Sequence, residues 1–168
     1  LYFQFVDLLL RRAGRNSQNA APLIREAREM LERLKETELQ DYFRDPCIAD
    51  FKARQRGVET VAPDTAVIYP VILPDRLELL VSVGEEDPRQ IPTVSIAEPR
   101  LQAEVKKFRR LLERRVTNEF LDPARWLYDL LIRPIDAVLA GHRVGTLVVV
   151  PDGVLRTIPF AALHDGER

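Results

Sequence analysis

The run Thr146-Leu147-Val148-Val149-Val150 restricts the fold of this chain more than any other stretch. Side chains of a strand alternate between two faces. A run that is apolar on both must be covered on both, which is the situation of a central parallel strand. Such a strand needs neighbours on either side, and it follows a helical segment here. The expected fold class is therefore α/β.

The rest of the chain supplies the other layers. Phe5 to Ala13 reads as a short apolar helix, broken by Gly14, Asn16, Ser17 and Asn19. Pro22 suits the first turn of a second helix. Leu23, Ile24, Ala27, Met30, Leu31 and Leu34 then form one apolar stripe at 3.6-residue spacing, and the helix reaches about Lys35. Glu38 to Arg44 reads as a separate helix ended by Asp45-Pro46, and residues 48 to 62 as further helix. The period then changes. Thr65 to Leu73 and Leu77 to Val83 are rich in β-branched residues and flank Pro74-Asp75-Arg76, the pattern of a β-hairpin. Pro70 points to an edge position or a bulge. Ile91 to Ile96 extends the hairpin to a meander. Glu98-Pro99 opens a helix with the stripe Leu101, Val105, Phe108, Leu111 and Leu112. Asp122 is the expected N-cap of the next helix, with Pro123 at its first position. Pro134 should split that helix, and Gly141 should cap its end. The expected order is N-terminal helices, an antiparallel hairpin or meander, a helical pair, then a buried parallel strand.

Composition narrows the function classes. The 168 residues are 46% hydrophobic and 30% charged, enough for one core of ordinary size. No run approaches the roughly 20 apolar residues of a spanning helix. The net charge of -1 steers neither nucleic acid nor an anionic membrane. One cysteine, Cys47, excludes an intrachain disulfide and fits a reducing, cytoplasmic setting. Leu1-Tyr2-Phe3-Gln4 matches the end of the site cut by tobacco etch virus protease. Residues 1–4 are read as a tag remnant and set aside.

Three stretches stand out together. The first is Ala66-Val67-Ile68-Tyr69 with Asp75-Arg76-Leu77-Glu78-Leu79-Leu80-Val81. The second is Leu127-Tyr128-Asp129-Leu130-Leu131-Ile132-Arg133-Pro134-Ile135. The third runs from Leu147 through Pro151-Asp152-Gly153 and Ile158-Pro159-Phe160-Ala161-Ala162-Leu163 to Gly166. In this order they resemble the CHAT family, the caspase-like domains of TPR-containing bacterial proteins. The resemblance implies that residues 61–168 are the N-terminal portion of a CHAT domain, with an incomplete caspase-like sheet. Residues 5–60 would be the end of a helical-repeat region or a linker, since Glu38-Leu39-Gln40-Asp41-Tyr42-Phe43-Arg44 is similar to the segment joining TPR repeats to a CHAT domain.

For the full family the resemblance implies a cysteine peptidase, whose thiolate attacks a peptide carbonyl with a histidine as acid-base partner. The family's histidine and cysteine lie downstream of the block that closes this chain, about 50 residues apart in a caspase-type arrangement. No catalytic, cofactor-binding or metal-binding residue is therefore assigned. Cys47 reads as a partly buried apolar residue, His142 as an exposed helix-end residue and His164 as structural. Ser17, Ser82 and Ser95 lie in no nucleophile elbow. Two histidines and one cysteine cannot complete a four-ligand zinc site. Lys106, Lys107, Arg109, Arg110, Arg114 and Arg115 read as a solvated helix face, because Glu104 and Glu113 intervene. The expected function is an N-terminal fragment of a CHAT-domain cysteine endopeptidase without its own His/Cys dyad. The alternative is a degenerate scaffold or dimerisation module. Expected partners are the rest of the CHAT domain, a protein bound through adjacent repeats, and a second copy of the chain; no cofactor, nucleic acid or membrane is expected.

Overall fold

A computed structural model describes residues 2–15, 20–43, 62–92, 95–114 and 117–167. Cys47, Ser17, Arg115 and the helix expected over residues 48 to 62, apart from Ala62, lie outside the described residues. Helices α1 (Tyr2–Arg15) and α2 (Ala20–Phe43) precede strands β1 (Thr65–Ile72), β2 (Leu77–Val83) and β3 (Arg89–Pro92). Helices α3 (Glu98–Glu113), α4 (Leu121–Leu131) and α5 (Asp136–His142) follow, and then strand β4 (Thr146–Val149). Single 3-10 turns cover Gly153–Thr157 and Phe160–Ala162.

The sheet is open and mixed, in the order β3-β2-β1-β4. β1 pairs antiparallel with β2 and parallel with β4, and β2 pairs antiparallel with β3. The two-residue side-chain period separates two cores. Val67, Tyr69, Val71 and Leu80 pack with Val6, Leu10, Ile24 and Leu31 of α1 and α2. Ile68, Leu77, Leu79 and Val81 pack on the other face with Leu101, Phe108, Leu127 and Ile135. The sheet is thus sandwiched between α1–α2 and α3–α5. Phe3 also packs against the first of these cores, so helical order and packing begin within the first four residues.

The doubly buried strands are β1 and β2, every residue of which is buried except Ile72. β4 is parallel, as expected for Thr146 to Val150; among the described residues it is the edge strand, with Thr146 exposed and the rest half-buried rather than buried. Its apolar side chains meet both cores: Leu147 and Val149 one, Val148 and Val150 the other. Its outer edge has no strand partner among the described residues.

Pro70 sits in no bulge. The β1–β2 register is unbroken from Ala66↔Val83 to Ile72↔Leu77. Thr65 O and Leu73 N bond toward β2, and Ile68 O accepts from Val150 N on the β4 side. By alternation the missing Pro70 donor faces the β4 side, just past the last paired residue Ile68, where no ladder bond is required.

Local signals were shifted in four places. α2 is one continuous helix and does not stop at Lys35; Thr37 donates its hydroxyl to Arg33 O without breaking it. β3 ends at Pro92, short of Ile96. α4 starts at Leu121 from Phe120, so Asp122 is not its cap and makes no capping bond. Pro123 falls in the first turn, where N–H groups lack helical partners anyway. Pro134 does split the helix, through the 3-10 turn Arg133–Ile135. The end of α5 is capped by Arg143 at φ 50, not by Gly141, which lies inside the helix.

That last finding gives a paired prediction. A Cβ at Gly141 would meet nothing within 4 Å. Gly141→Ala should stabilise the fold by about 0.5–1 kcal/mol, and Arg143→Gly by about 1 kcal/mol, because only the second position needs a left-handed conformation. Urea unfolding of both variants checks the pair; destabilisation by Gly141→Ala would place the cap where the sequence suggested.

Candidate functional site

The most built region is the exit of β4. Val150 N donates to Ile68 O at 2.9 Å, and the chain then turns at Pro151-Asp152-Gly153. Gly153 has φ +48, and a Cβ there would lie 3.3 Å from Ile72 Cδ1. The turn therefore demands glycine for conformation as well as space. Beyond it, fully buried Leu155 and buried Ile158 anchor the block in the α3–α5 core.

Two cationic side chains tie this turn to α2. Lys35 Nζ donates to Pro151 O at 2.9 Å. Arg156 donates to Glu38 Oε2 at 2.6 Å and to Asp152 Oδ1 at 2.9 Å. Burial pulls the Lys35 ammonium below its ordinary pKa. Only the Asp152–Arg156 spacing was visible in sequence; Lys35 and Glu38 are more than 110 residues away from their partners.

The second resembling stretch holds the C-terminal segment. The Arg133 guanidinium stacks 5.4 Å from the Tyr128 ring centroid. It donates to Asp129 Oδ1 at 2.6 Å and to Asp165 O at 3.0 Å. Burial raises the Tyr128 phenol pKa, and Asp136 and Asp165 push the same way.

The histidines are engaged elsewhere. His142 Nδ1 lies 2.8 Å from Val138 O and its Nε2 3.1 Å from Glu86 Oε1. The ring thus bridges α5 to the β2–β3 turn. His164 Nδ1 accepts from Gly166 N at 2.8 Å, which places its proton on Nε2. Among the described residues neither histidine bonds a serine hydroxyl. Ser95 Oγ donates to Asp75 O at 3.2 Å, and the buried Ser82 Oγ finds no partner among the described residues. No cluster of three potential metal ligands occurs among the described residues. Lys106, Lys107, Arg109 and Arg110 lie exposed on α3, opposite buried Leu101, Val105, Phe108 and Leu111, and Arg114 is exposed at its C-cap. Lys107 pairs with Glu104 at 3.9 Å and Arg109 with Glu113 at 4.0 Å.

A polar network surrounds the β1–β2 turn, at the same end of the strands as the β4 exit but toward the β3 edge. Arg76 donates to Glu78 Oε1 at 2.5 Å and to Asp7 Oδ1 at 2.7 Å. Gln90 donates to Glu78 Oε2 at 2.9 Å, and Arg11 joins Asp7 to Asp75. Burial opposes the Arg76 charge, but the bonds and charges of Glu78 and Asp7 outweigh it and raise the guanidinium pKa. A cleft of about 570 Å³ opens beside this network, between Arg11, Arg15, Ile24 and Gln90. Arg76 and Glu78 flank the hairpin turn in sequence, but their pairing with α1 could not be read there.

No described helix is long and apolar enough to cross a membrane. No curated protein and no solved structure matches the chain. Residues 121–168 match the family model described as CHAT domain. The match covers part of that domain, from the start of α4 through the β4 exit block.

Proposed function

We propose, from a chain that carries part of a CHAT domain, that its parent is a caspase-like cysteine endopeptidase and that this chain is the leading part of the peptidase domain. The observation that carries the reading is the match of residues 121–168, which spans the Arg133–Tyr128 clamp and the Pro151-Asp152-Gly153 turn. In this reading β4 is the first parallel strand of the catalytic sheet. Strands carrying the histidine and the cysteine add beyond its open edge. Residues 5–60 belong to the helical-repeat side, where a partner is bound and the peptidase is controlled in response.

The test is reconstitution. The stretch of the parent reading frame that follows Arg168 is supplied with this chain, and cleavage of unfolded protein substrates is followed by mass spectrometry. Cleavage that disappears when a downstream cysteine is replaced by alanine supports the reading. A continuation without a histidine and a later cysteine would leave a scaffold.

An open edge has a consequence for the isolated chain. Unpaired N–H and C=O groups beside half-buried apolar side chains invite pairing with another strand. The chain should self-associate through β4 or the Ile158 to Leu163 segment. Light scattering at rising concentration should show a dimer, and Val148→Lys should shift it toward monomer. A monomer at high concentration removes this expectation.

A further inference from the structure

We infer that Lys35, Glu38, Asp152 and Arg156 form a latch that ties α2 to the exit of β4, so that order lost at one is lost at the other. α1 and α2 cover one face of the sheet, while the block after β4 is anchored in the opposite core by Leu155 and Ile158. The latch is where α2 and that block are joined by polar bonds.

Its members are unequal. Glu38 and Arg156 are 43% and 44% exposed, so that pair alone holds little against solvent and salt. Asp152, at 15%, is screened less and fixes the Arg156 guanidinium within its own turn. Lys35 is the principal bond. It reaches from a half-buried position to Pro151 O, a carbonyl that lies past the paired part of β4 and has lost its ladder. A charged donor to a carbonyl left out of a sheet is among the stronger hydrogen bonds available at such a position. Gly153 at φ +48 and buried Leu155 leave the turn little freedom to follow if α2 moves away.

The consequence is directional. A binding event that displaces the C-terminal half of α2 must break the Lys35 bond, which frees the β4 exit while β1 and β2 stay packed. Its regulatory meaning rests on the reading of β4 as the first strand of a caspase-like sheet. The coupling does not, and it can be measured without any peptidase activity.

Amide hydrogen exchange on the full chain reads it. Val150 and Leu155 report on the β4 exit through their bonds to Ile68 O and Asp152 O, and Leu73, bonded to Arg76 O, serves as the hairpin reference. Lys35→Met should accelerate exchange at Val150 and Leu155 by about tenfold. Leu73 should stay within about twofold. Lys35→Arg should restore protection, since it keeps the donor. By reciprocity, Arg156→Gln should accelerate the amides of α2 around Lys35. The inference is overturned if Lys35→Met leaves Val150 and Leu155 unchanged, if Leu73 accelerates equally, or if Arg156→Gln leaves α2 unaffected.

Discussion

Replacing Phe108 with alanine should lower the unfolding free energy by about 4 kcal/mol. Phe108 is fully buried and is the largest such side chain among the described residues. It belongs to the core formed by β1, β2 and α3–α5, where the block after β4 also inserts Leu155. Truncation removes the transfer free energy of the ring and leaves a cavity that a sheet and two helices cannot collapse to fill. Domains of this size hold about 5–15 kcal/mol in total, so much of the stability goes. Denaturant unfolding followed by circular dichroism reads the shift. A loss under about 1 kcal/mol would mean that α3 does not cover the sheet as described.

Replacing Arg76 with methionine should cost about 3 kcal/mol, although it exchanges one long side chain for another. The cause is Glu78, which is 6% exposed and keeps its carboxylate in place when its cationic partner is gone. Gln90 still donates one bond, which limits the loss. Asp7 loses its link to the hairpin as well, so α1 should fray first. The double variant Arg76→Met with Glu78→Leu should recover most of the loss, because no buried charge then remains uncompensated. Equal losses for the single and double variants would show that Arg76 acts through packing alone.

The periods in the sequence located most elements, because burial on one face or two leaves a direct imprint on residue type. β2 begins and ends where the apolar run does, and the Leu101, Val105, Phe108 and Leu111 stripe is the buried face of α3. Apolarity on both faces says that a strand is covered, but not by which neighbour: β4 pairs in parallel as expected, while among the described residues β1 and β2 are the strands buried on both faces. Caps were misplaced: Asp122 and Gly141 are good cap residues, each two positions from the observed cap. The resemblance at the β4 exit was legible from its own turn chemistry. The Lys35 and Glu38 contacts were not, since nothing in a sequence marks a lysine that will meet a carbonyl 116 residues away.

The most direct test of the central proposal, a caspase-like framework without its own dyad, is labelling of the chain by a thiol-reactive peptidyl inhibitor. Cys47 should react no faster than an unactivated thiol. His142→Ala and His164→Ala should leave the rate unchanged, because neither ring bonds a nucleophile among the described residues. Rapid labelling of Cys47 that either substitution abolishes would contradict the account.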